Sequence, residues 1–249
     1  MTLETFNTIC IIWSATAIAT FVLLQYITAP YGRHITKGWG IEISNRAGWI
    51  LMELPSFLLI LYFYLTSNQS SFATMLSMFW LFHYLNRTFI FPFRIRTKGK
   101  KMPLTIVFSA VFFNFINAGL NGYFLANFET YSSINFTSWN FILGSILFVI
   151  GFISNQISDT ILIRLRKPHE TGYKIPKGFL FNYISCPNLF SELIQWTGFA
   201  LMAWNFPATT FLIWTAANLL PRAIKHHKWY KSHFEKYPKN RKAVIPGIW

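Results

Sequence analysis

The sequence predicts an all-α integral membrane protein of seven transmembrane helices, with its N-terminus outside and its C-terminus in the cytoplasm. Three observations carry this reading. Of 249 residues, 53% are hydrophobic, 19% aromatic and only 12% charged, a profile far from that of a soluble domain. Apolar runs of the roughly 20 residues needed to cross a bilayer recur along the chain. The basic residues fall in alternate connections.

The first run, near 6–29, is too long to be a removable signal peptide and lacks the basic start and small-residue cleavage site of one, so it reads as the first helix. Runs near 47–66, 71–93, 103–124 and 138–163 supply four more. The region 188–221 is broken by Asn205-Phe206-Pro207 and reads as a tight helical hairpin, the sixth and seventh. Lys and Arg number three in 30–46, five in 94–102, five in 164–187 and eight from Arg222 onward, with none in 67–70 or 125–137. This positive-inside pattern orients the bundle and accounts for the net charge of +14 without a nucleic-acid partner. The basic 94–102 loop suits contact with anionic lipid. Cys10 and Cys186 stand far apart, form no metal-spaced or disulfide framework, and read as packing residues. No internal repeat or long linker divides the chain, so residues 1–249 read as one membrane domain with no obligate protein partner.

Few ionisable groups lie inside the predicted spans: Glu53, Arg87, Asp159 and Glu192. Each costs roughly 2.5–3.5 kcal/mol at a helix centre. One acid paired with Arg87 would account for two of them, and the remaining carboxylates point to a shared polar cavity. His83, Tyr84, Asn86 and Arg87 form a polar patch. Asn155 with Asp159, and Asn188 with Glu192, each repeat an i, i+4 spacing that puts an amide and a carboxylate on one helical face. Arg222, His226 and Tyr230 form a stripe at i, i+4, i+8 suited to a phosphate or diphosphate. No GxGxxG turn or GxxxxGK[ST] loop is present, and GWGIE at 38–42 does not substitute for one. His226, His227 and His233 cluster in sequence, but six histidines without an HxxxH or HxxHH box predict no metal site.

The blocks WILMELPSF (49–57), HYLNRT (83–88), NQISDTILIRLRKP (155–168), GYKIPKGFLFNYISCPNLFSELIQW (172–196) and PRAIKHHKWYKSHFEKYPKNRKAVIPGIW (221–249) resemble the steroid 5α-reductases over nearly the whole chain. The C-terminal half also resembles sterol Δ14 and Δ7 reductases and, more distantly, isoprenylcysteine methyltransferases. The ELPSF and HYxxRT blocks favour the 5α-reductase branch. The resemblance implies NADPH-dependent reduction of the carbon 4–5 double bond of a 3-oxo-Δ4-steroid. It implies that Glu53 and Tyr84 bind the substrate's 3-keto oxygen. It assigns Arg87, Asn155, Asp159, Arg166, Tyr173, Asn188, Glu192, Arg222, His226 and Tyr230 to NADPH, with Tyr31 and Arg33 of YGRH as further cofactor contacts. On this reading 1–137 supplies mainly the substrate pocket and 138–249 mainly the cofactor half. Trp49 and Met52 join the substrate contacts; Met52 stands where the family's human members have Gln.

Hydride addition to an enone builds negative charge on its carbonyl oxygen, which Tyr84 can meet with its hydroxyl. Glu53 either donates as a neutral acid or, ionised, orients Tyr84, and the sequence leaves both open. The implied partners are a lipophilic steroid-like substrate entering from the bilayer, membrane lipid, and NADPH entering from the cytoplasm. The host membrane is a bacterial inner membrane or the endoplasmic reticulum. A reductase of another lipid, whether a polyprenol, an enoyl thioester, a sterol double bond or another enone lipid, keeps the cofactor and changes the substrate. A transporter would use the intramembrane charges as a pathway and bind no NADPH.

Overall fold

The structure, a computed structural model, describes residues 1–27, 38–97, 99–128, 136–166, 170 and 172–248. Eight α-helices dominate these residues: α1 (Leu3–Tyr26), α2 (Asn45–Thr66), α3 (Ser71–Leu85), α4 (Phe91–Arg94), α5 (Leu104–Asn127), α6 (Trp139–Arg164), α7 (Pro187–Ala203) and α8 (Phe206–His233). By length and composition α1, α2, α5 and α6 can each cross a membrane. Their outward faces are apolar: Ile12, Leu23, Phe108, Phe112 and Ile146 are all more than half exposed, as expected of side chains that meet lipid. The protein is therefore an all-α membrane protein.

Helix boundaries follow local chemistry. The Ser44 and Ser70 hydroxyls accept from the Ala47 and Ala73 N–H groups, capping α2 and α3. The expected break at Asn205-Phe206-Pro207 separates α7 from α8. There Trp204 takes a φ of 43°, and the Asn205 side chain accepts from Ala208 N at 2.9 Å to start the new helix.

Two departures from the sequence reading are local. The run 71–93 is one rod built of three pieces, because a π-helical turn, Asn86–Ile90, separates α3 from α4. Pro92 supplies the reason: it has no N–H to give the Thr88 carbonyl and its ring crowds that carbonyl, so the helix widens. The chain is also not purely helical. Strand β1 (Glu42–Ser44) pairs antiparallel with β2 (Lys101–Pro103), Ile43 facing Met102. The end of the basic 94–102 loop is thus folded in, with Met102 only 2% exposed.

The described residues divide into two compact units. One comprises residues 1–11, 29–142 and 203–209, the other 12–28, 143–202 and 210–249. In the first, α2 packs on α5. Gly122 admits the Phe63 ring, and Met52, Met102 and Val107 form a small core beneath Gly48. In the second, α6 and α7 touch backbone to backbone: a Cβ added at Gly198 would lie 2.5 Å from the Gly144 carbonyl oxygen, and one at Gly151 2.5 Å from Gln195 N. Small residues at such crossings are how helices associate where lipid removes the hydrophobic drive. Cys10 and Cys186 are buried thiols.

Candidate active site

In the first unit, Glu53 stands on α2 with both carboxylate oxygens engaged. Arg87, from the π-helical turn, places Nε 3.5 Å from Oε1, and Asn114 of α5 donates from Nδ2 to Oε2 at 3.4 Å. The same Asn114 amide donates to the Met52 carbonyl at 2.6 Å. The Arg87 guanidinium also lies over the rings of Trp49 (4.6 Å) and Phe91 (4.7 Å), which are themselves edge to face. A cation so placed gains from both ring faces while it balances the acid. Tyr84, 4% exposed, stacks on Trp80 and meets the edge of His83. Trp80 is anchored by its indole N–H on the Ser56 carbonyl at 3.1 Å. The structure thus gathers Glu53, Arg87 and Trp49 into one group and fixes Tyr84 on the neighbouring helix. The Met52 side chain is turned into the Met102–Val107 core.

In the second unit, Asn155 of α6 donates to the Asn188 carbonyl of α7 at 2.9 Å, bringing two of the expected residues together, and Asp159 is 5% exposed one turn further along α6. Arg166 lies over the Tyr173 ring at 5.5 Å and donates to the Gly172 carbonyl, while Tyr173 packs against Trp229. Arg222, His226 and Tyr230 follow one stripe of α8, and Tyr230 stacks on Tyr237 with rings 11° apart. Glu192 lies on α7, one turn beyond Asn188. Tyr31 and Arg33 lie outside the described residues.

Several participants escaped the motif reading. The C-terminal segment folds back as a clasp: Ser185 N donates to the Lys242 carbonyl at 2.8 Å, Lys242 N to the Tyr183 carbonyl at 2.9 Å. The Ser185 hydroxyl meets His227 Nδ1 and Tyr237 Oη, each at 2.6 Å, and the Lys242 carbonyl at 3.0 Å. A hydroxyl has one proton and two lone pairs, so all three bonds form together when Ser185 donates to the carbonyl and accepts from Tyr237 and from His227 Nδ1–H. Burial, reinforced by the charges of Lys231, Arg241 and Lys242, holds the His227 pKa below its ordinary value and keeps the ring neutral. Arg241 is 4% exposed. It donates to the Pro176 carbonyl and lies over the Tyr237 ring, and it has no carboxylate partner among the described residues. Asn114 stands in a stripe, Asn114, Asn117 and Asn121, at i, i+3, i+7 in an apolar helix, the one signal that could have marked it; all three are buried.

The fold and these two groups define an all-α membrane protein with ionisable chemistry buried among its helices. The family model described as 3-oxo-5-alpha-steroid 4-dehydrogenase matches residues 100–249. A steroid 5-alpha-reductase of Solanum lycopersicum is 40% identical over 250 residues, covering 98% of this chain and 97% of its own. The 3-oxo-5-alpha-steroid 4-dehydrogenase 1 of Bos taurus is 40% identical (94% and 93% covered), and that of Homo sapiens 38% identical (94% and 92%). The chain belongs to the steroid 5α-reductase, or 3-oxo-5α-steroid 4-dehydrogenase, family.

Proposed function

We propose that the protein reduces the carbon 4–5 double bond of 3-oxo-Δ4-steroids to 5α-3-oxosteroids, with NADPH as the reductant. The observation that carries this reading is the mostly buried Glu53–Arg87 pair beside the Tyr84 helix, in a chain that is 38–40% identical to steroid reductases over nearly its full length. Tyr84 donates its hydroxyl to the 3-keto oxygen, and the Glu53 carboxylate orients that hydroxyl. As that oxygen becomes an enolate, the Tyr84 hydroxyl and the nearby Arg87 charge stabilise it, in surroundings where water competes little. Trp49 closes the group from one side. The enolate then takes a proton at carbon 4.

The donor set of the second unit fits NADPH. Asn155, Asp159, Asn188 and Glu192 offer amides and carboxylates to a ribose or a carboxamide. Arg166, Arg222 and His226, among the rings of Tyr173, Trp229 and Tyr230, suit phosphates and an adenine. The buried Arg241, a cation with no acid against it among the described residues, adds positive potential to that unit. When bound, NADPH supplies the hydride that adds to carbon 5 on the α face. The steroid enters from the bilayer. Seven crossings with an outside N-terminus put residues 94–102, 164–187 and 222–249 on the cytoplasmic side, where the cofactor is found.

The test is isotope transfer. Purified protein in detergent, given NADPH carrying deuterium at the transferable position of the nicotinamide and a 3-oxo-Δ4-steroid, is expected to yield a 5α product labelled at carbon 5. Unreduced steroid despite tight NADPH binding would remove the steroid from the reading, and absence of NADPH binding would remove the reductase.

A further inference from the structure

Asn114 belongs to none of the motifs that carry the family likeness, yet its amide reaches Glu53. Its amide nitrogen has two hydrogens, and two acceptors stand within reach: the Met52 carbonyl at 2.6 Å and Glu53 Oε2 at 3.4 Å. Turning the amide over would set its oxygen against a carbonyl and a carboxylate, so the orientation is dictated by its surroundings. Arg87 holds the other carboxylate oxygen, Oε1. Glu53 is therefore gripped at both oxygens, from α5 on one side and the π-helical turn on the other.

A neighbouring hydroxyl records the strength of the Met52 contact. Helical Ser and Thr residues here habitually donate to the carbonyl four residues back, as Thr66, Ser158, Thr160, Thr197 and Thr215 do at 2.7–2.9 Å. For Ser56 that acceptor is Met52 O, which Asn114 occupies, and the fully buried Ser56 hydroxyl has no partner among the described residues. An unmade buried bond is costly, so the Asn114 contact displaces an interaction that the helix would otherwise make.

We infer that Asn114 is a positioning residue for the reaction, fixing the Glu53 carboxylate, together with the backbone turn that bears it, in the geometry from which it orients the Tyr84 hydroxyl towards the 3-keto oxygen. The inference rests on the role proposed above for Glu53. Asn114 touches no reacting atom in this account; it acts through Glu53.

A double-mutant cycle tests it. Asn114→Leu, which keeps the branched shape, and Asn114→Ala are each made in the wild-type chain and in Glu53→Ala, so that a folding failure in one leaves the other. Steroid reduction, NADPH affinity and the thermal midpoint are measured for all. Asn114 variants of the wild-type chain are expected to lose about tenfold in kcat, the worth of a hydrogen bond to a charged group. Their NADPH affinity stays the same, and in the Glu53→Ala background the loss shrinks below about twofold, because there is no carboxylate left to position. A full tenfold loss in both backgrounds, or a lowered midpoint with unchanged kcat, overturns the inference and leaves Glu53's role standing. Undiminished turnover in Glu53→Ala alone overturns both.

Discussion

At Arg87 three interactions meet: the ion pair with Glu53, the Trp49 face and the Phe91 face. Replacing it with Met keeps much of the stem but takes the cation from a mostly buried carboxylate, a loss of at most about 3–5 kcal/mol, the cost of removing one partner of a fully buried pair. Arg87→Met is therefore expected to lower the thermal midpoint in detergent more than Glu53→Gln, which leaves a neutral amide able to keep a hydrogen bond; an Arg87→Met midpoint equal to that of the unsubstituted protein would show that the pair contributes little. His227 yields a pH prediction. Its folded pKa lies below its unfolded one, so between the two the unfolded chain takes up a proton that the folded chain refuses. Stability is full above about pH 6.5 and falls as pH drops from there towards the folded value. In His227→Asn, which can still donate to Ser185, this acid-side slope of the midpoint should flatten. Glu53 and Arg87 were legible because a charge inside an apolar run is expensive enough to demand a reason. Asn114 and Ser185 were not: neutral polar residues are cheap in helices and loops, and only their partners reveal them.

Helices α6 and α7 approach as closely as their backbones permit at Gly144, Gly151 and Gly198. Gly198→Ala would put a methyl 2.5 Å from the Gly144 carbonyl, against backbone that cannot rotate away, so a destabilisation of about 1–3 kcal/mol is expected. Gly172→Ala, with open space around its Cβ but a φ of 87°, should instead cost only local strain. Thermal unfolding of both variants distinguishes them. The apolar runs located every long helix because hydropathy over some 20 residues is a strong signal, and the Asn205-Phe206-Pro207 break was visible in its cap residue and proline. The π-helical turn was hidden, since Pro92 announces a disturbance four residues upstream but not its form. The β1–β2 pair was hidden too, because three-residue strands leave no periodicity to read.

At the scale of the whole molecule, Glu53 and Tyr84 lie in the first compact unit together with Arg87, which was expected at the cofactor, while Asn155, Asp159, Arg166, Tyr173, Asn188, Glu192, Arg222, His226 and Tyr230 lie in the second. Changes at Glu53 or Tyr84 should spare NADPH affinity, and changes at Arg166 or Arg222 should weaken it. The most direct test of the central claim is the turnover of testosterone or progesterone with NADPH by the purified protein, followed as loss of absorbance at about 340 nm and as 5α product, alongside Glu53→Gln and Tyr84→Phe. Formation of the 5α-3-oxosteroid by the wild-type chain, with kcat reduced about 10²–10³-fold in each variant and NADPH affinity unchanged, is the result predicted, since one oxyanion-stabilising group contributes about 2.7–4 kcal/mol. Full turnover in both variants would contradict the account by showing that these two side chains do not hold the oxygen on which the charge develops.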